Sequence, residues 1–134
     1  MKEPETPELK ALKEAVASKK AATAKLQRNY TALRKEANNS MNLIPNIERK
    51  SFPKEFCDHL RNNVNEVLVE AEAAARLYAV EIIKPEPKDP LVIEEVLADT
   101  ANIVTHSAAL EASLLKARRG IFADIKKNSD VAAK

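Results

Sequence analysis

A chain of 134 residues with a single glycine, Gly120, has few means of turning tightly. Glycine takes a positive φ without steric cost, and the tightest turns depend on it. The seven prolines do not replace it, because they cluster: Pro4 and Pro7, then Pro45 and Pro53, then Pro85, Pro87 and Pro90 within the run KPEPKDP. So little punctuation predicts few, long elements, and a chain rich in Ala, Leu, Glu and Lys makes those elements helices.

Caps and periodicity place three of them. Thr6, Pro7 and Glu8 read as N-cap, first helical position and first-turn acid. A row then runs through Leu9, Leu12, Val16, Lys19, Thr23, Leu26, Tyr30, Leu33 and Ala37 in steps of three and four residues, the spacing of a coiled-coil seam. Lys19 and Thr23 weaken its middle. Asn38 and Asn39, which tolerate the left-handed C-cap conformation, are the expected end. The second helix is expected to start at Ser51 as N-cap with Pro53 in its first turn, and its seam is Phe56, Leu60, Val64, Val67, Ala71, Ala74, Tyr78 and Ile82. KPEPKDP ends it, and Asp89 with Pro90 starts the third helix. That seam is Ile93, Val96, Thr100, Ile103, Ser107, Leu110, Leu114, Ala117 and Ile121.

The expected fold class is therefore all-α: three long antiparallel amphipathic helices in an up-down-up bundle with coiled-coil-like seams, open to oligomerisation. Residues 1–134 form one helical domain in this reading, with helices over about 7–38, 52–83 and 90–127 and a flexible tail over 128–134. Whether Gly120 bends the last helix is left open by sequence. Between the first two helices, Met41, Leu43, Ile44, Ile47 and Phe52 make an unusually apolar connection. Such side chains either cap the end of the bundle or form a docking patch for a partner protein.

The net charge of +2 hides an uneven distribution. In an up-down-up bundle the end of helix one, the start of helix two and the end of helix three share a pole, which gathers Arg34, Lys35, Arg49, Lys50, Lys116, Arg118, Arg119, Lys126 and Lys127. That pole suits phosphate contacts to nucleic acid. It equally suits the negative ends of the helix dipoles and salt links between neighbouring helices. With aromatic residues at 4% and no tryptophan, no basic segment carries the ring platforms that stack on single-stranded bases.

Chemistry finds no footing in these residues. Cys57, Asp58 and His59 are adjacent, and adjacent helical residues point to different faces. His106 has no carboxylate one turn away, no Glu-x-x-His occurs, and one glycine cannot build a phosphate loop. No cofactor or metal ligand set is expected, and the chain is read as a non-enzyme. The expectation is a helical interaction or assembly protein (scaffold, adaptor, structural subunit or regulator) that pairs with itself or another protein, with a nucleic-acid-associated accessory or packaging role as the alternative. A lone cysteine and the lack of an apolar transmembrane span point to a reducing, cytoplasmic setting.

Overall fold

Thr6 opens the first helix as its position predicts: its backbone is extended, and its hydroxyl accepts a hydrogen bond from the Leu9 amide at 3.1 Å. In the computed structural model, which describes residues 6–50 and 52–133, helix α1 then runs over Pro7–Glu48. It is followed by α2 (Lys54–Ile82), a 3-10 turn (Pro90–Val92), α3 (Ile93–Arg119) and α4 (Ile121–Ala133). Every regular element among the described residues is helical, so the chain is an all-α bundle.

The largest departure from expectation is the length of α1. It does not stop at Asn38 and Asn39, which are exposed helical residues, but continues to Glu48 through Pro45. The reason is an unbroken inner row. Leu33, Ala37, Ser40, Ile44 and Ile47 are all buried at steps of three and four residues. An interior proline costs about 3 kcal/mol through its missing N–H and its clash with the preceding turn. Burying an isoleucine stabilises by about 1.5–3 kcal/mol, so Ile44 and Ile47 together offset that cost. The expected apolar connection is thus the last turns of α1, and the true link to α2 is short.

Helix α2 also starts differently. Pro53 stands just before the helix in an extended conformation, with no side-chain cap, and its carbonyl accepts from the Cys57 amide at 3.2 Å. Ser51, the expected cap, lies outside the described residues. Asp89 behaves as predicted, its carboxylate accepting from the Leu91 amide at 3.0 Å ahead of the 3-10 turn.

Gly120 divides what sequence offered as one helix. Its backbone leaves helical values at φ −111° and ψ −103°. The bonding continues around it, from the Gly120 amide to the Lys116 carbonyl and from the Asp124 amide to the Gly120 carbonyl, each at 2.9 Å. Beyond it, the expected loose tail is helical as far as Ala133, because Phe122, Ile125, Ser129 and Ala132 continue a buried row.

Cross-helix partners fix the directions. Along α1, residues Lys19, Arg34 and Glu48 meet Glu81, Glu72 and Arg61, in reverse order along α2. Lys19, Asn29 and Glu36 meet Asp99, Ser107 and Arg118, in the same order along α3. Helix α1 is the hub: it packs on α2, α3 and α4, whereas α2 and α3 meet each other much less. The main core is centred on Leu26, Leu33, Ile44, Ile47, Val64, Ile103 and Ile125. A separate small cluster of Leu12, Ala15 and Val96 closes the other end.

Candidate interaction surface

Helix α3 carries two apolar rows. Ile103, Ser107, Leu110, Leu114 and Ala117 face α1 and are buried. Ser107 is accommodated there by Asn29, whose amide donates to its hydroxyl at 2.7 Å and to its carbonyl at 3.2 Å. The second row is Leu97, Ala101, Val104, Ala108 and Leu115. At 100° per residue it lies about 100–160° around the helix from Ile103, and it faces outward: Leu97, Val104 and Leu115 remain 50%, 51% and 50% exposed. From Val96 to Leu110 the only formal charge is Asp99. That residue is turned the other way, to Lys19 at 3.3 Å and Lys84 at 3.2 Å. The outer face of α3 is therefore an apolar and alanine strip, interrupted only by Glu111 ahead of Leu115, with no covering segment among the described residues.

Charge is concentrated instead where α2 ends against α1 and α3. The Lys19 side chain, 16% exposed, forms an ion pair at 2.8 Å with Glu81, whose side chain is 5% exposed. Lys84 reaches both Glu81, at 2.9 Å, and Asp99. Burial by itself raises a carboxyl pKa, yet the bonds from Lys19 and Lys84 outweigh it and hold Glu81 below its ordinary value. Asp99 is lowered by the same balance. The Lys84 ammonium is held above its ordinary value, chiefly by its bond to Glu81. Lys19, which seemed to weaken the α1 seam, is thus the centre of a four-residue ionic network. Thr23 is satisfied locally, its hydroxyl donating to the Lys19 carbonyl at 2.7 Å.

The residues singled out from sequence are dispersed by this fold. Ile44 and Ile47 are wholly buried in the chain's own core, and Met41, Leu43 and Phe52 are half-buried against it. Phe52 stacks on Phe56 with centroids 5.7 Å apart. They are packing residues of the α1 and α2 junction. Among the basic residues, Arg34 is tied to Glu72 at 2.8 Å and lies over the Tyr30 ring at 5.3 Å. Arg118 grips Glu36 in a two-pronged pair at 2.8 and 2.6 Å, which raises its pKa. Lys35, Arg49, Lys50, Lys116, Arg119, Lys126 and Lys127 are exposed and make no ion pair among the described residues. Arg49 and Lys50 follow the end of α1 and Lys116 and Arg119 end α3; Arg118 meets Glu36, so α1 continues beyond the end of α3.

Cys57 is fully buried, and burial, aided by Asp58, pushes its thiol pKa up, away from the reactive thiolate. Among the described residues no three His, Cys, Asp or Glu side chains gather as a metal site, and no helix is long and apolar enough to cross a membrane. The α3 strip was missed by sequence reading because the inner seam accounts for α3 alone. Its signal was present as a second row, apolar at every seam step but Glu111, in a stretch with little charge. Comparisons with protein-family models, curated proteins and solved structures return no match.

Proposed function

We propose that this chain is a non-enzymatic assembly protein that works by helix-to-helix contact, with the outer face of α3 as its contact surface. The observation that carries the reading is the half-exposed strip of Leu97, Val104 and Leu115, on a face whose one charged seam position, Glu111, is held by Lys25 of α1. A helix that serves only its own bundle normally turns charged or polar residues outward. An apolar row at heptad spacing on the solvent side is what a second helix packs against. The ionic network and the long α1 hub fit a rigid mount for such a surface, in a reducing, cytoplasmic setting where Cys57 stays a thiol.

The test uses wild-type and Val104→Glu proteins, compared by solution mass and as baits in a native extract. The expected result is assembly, with itself or with another protein, that the charged variant loses. A wild-type protein that stays monomeric and captures nothing would contradict the reading.

The second reading, phosphate contact with nucleic acid, is favoured by the exposed cations at the ends of α1 and α3 and on α4, which make no ion pair among the described residues. It predicts affinity that falls steeply with salt and drops when Lys126 and Lys127 are both changed to Glu. Affinity unaffected by either would exclude that end of the bundle.

A further inference from the structure

We infer that the α3 strip pairs with the same strip of a second copy, antiparallel about a twofold axis, making the chain a homodimer through α3. This inference rests on the proposed assembly role and names its partner. The argument is one of register. In an antiparallel helix pair the alternating seam positions of one helix face those of the other in reverse order, and a twofold interface must be complementary to itself. Taken in order, the seam positions of the strip are Leu97, Ala101, Val104, Ala108, Glu111 and Leu115. Reversed onto itself, the row sets Leu97 against the partner's Leu115, Val104 against the partner's Ala108 and Ala101 against the partner's Glu111. Each large side chain at the centre meets a small one, and the two leucines close each end.

The one polar position also fits. The Glu111 carboxylate is drawn toward α1 by Lys25 at 3.0 Å and the Asn29 amide at 3.2 Å. Its stem leaves the seam, and the residue opposite it is the small Ala101. Charge then selects the direction. Glu94 in the first turn of α3 and Arg119 in its last lie on the strip's flank, are exposed and make no ion pair among the described residues. The antiparallel register places Glu94 beside the partner's Arg119, twice by symmetry. In a parallel register the flank that carries Glu94 and Arg119 on one copy lies across the seam from the same flank of the other, and these two pairs do not form.

The test is site-specific cross-linking. Val104→Cys and Ala108→Cys proteins are prepared separately and oxidised with copper phenanthroline alone and as an equal mixture. The wild type, whose Cys57 is fully buried, is the background control. Both substituted positions are exposed, so folding is checked by circular dichroism and should be retained. The expected result is a disulfide-linked dimer in the mixture and little in either variant alone. Reversing Glu94→Arg should weaken dimerisation by about tenfold, and adding Arg119→Glu should restore it. Cross-linking by each variant alone would mean a parallel pairing and would overturn the inference, and so would no cross-linking anywhere. If nothing cross-links but Val104→Glu still abolishes capture of another protein, self-pairing falls while the assembly role stands.

Discussion

Two neighbouring residues of α3 differ in what covers them. Ile103 is fully buried against α1, and Val104, one position further, is half exposed on the opposite flank. Both belong to rows with the same period, and both are aliphatic. The difference is only which face α1 covers. One helix can therefore serve two contacts, and a row's apolar character alone does not reveal whether its partner is inside or outside the chain.

The largest predicted effect tests the inner row. Ile103→Ala should cost about 2–5 kcal/mol, through lost burial and the cavity left behind, whereas Val104→Ala should change the stability of the dilute monomer by less than about 0.5 kcal/mol. Urea unfolding at low protein concentration reads both, and similar losses would erase the distinction between the rows.

Next is the ionic network at the end of α2. Glu81→Ala leaves Lys19 with Asp99 as its remaining partner, and should destabilise by about 2 kcal/mol. Exchange to Glu81→Gln should do less harm because the shape is kept. Thermal melting of the three proteins in parallel would show the order, and an unchanged melt for Glu81→Ala would make the network ornamental.

The same network sets a pH dependence. Glu81 and Asp99 have folded pKa values below their ordinary ones, so their contribution is fully present above the ordinary carboxylate range of about 4. It is lost as pH falls through the lowered folded values. Lys84 is raised, so its contribution is present below its ordinary value and fades as pH climbs through the raised one. Stability should therefore fall on the acid side, and Glu81→Gln should flatten that fall when unfolding is measured against pH.

A small effect is also expected at Gly120. A Cβ there would sit 3.1 Å from the Lys116 carbonyl oxygen, a tight contact that opposes the gain in helix propensity of about 1 kcal/mol. Gly120→Ala should change stability by under about 1 kcal/mol, and a loss of several would show that α4 depends on the break.

The helix starts at Thr6 and Asp89, the all-α class and nearly all of the three seams were readable from spacing and capping alone; at the end of α2, Glu81 is buried and Ile82, the expected seam residue, is 53% exposed. The end of α1 was not. Two asparagines, a serine at the seam position Ser40 and Pro45 each suggest a stop locally, and only the burial of Ile44 and Ile47 overrides them. Tertiary packing, not propensity, decides that boundary. Lys19 misled in the same manner, since its partners Glu81 and Asp99 lie far along the chain. The outer strip of α3 was hidden for the opposite reason: nothing inside the chain contacts it.

The most direct measurement is sedimentation equilibrium of wild-type and Val104→Glu proteins over a concentration series, with melting curves of both at low concentration. The account predicts that wild type approaches twice the monomer mass, that the variant stays at monomer mass, and that the dilute melts coincide. Equal masses for the two proteins, or a Val104→Glu melt lowered like that of a core substitution, would contradict it.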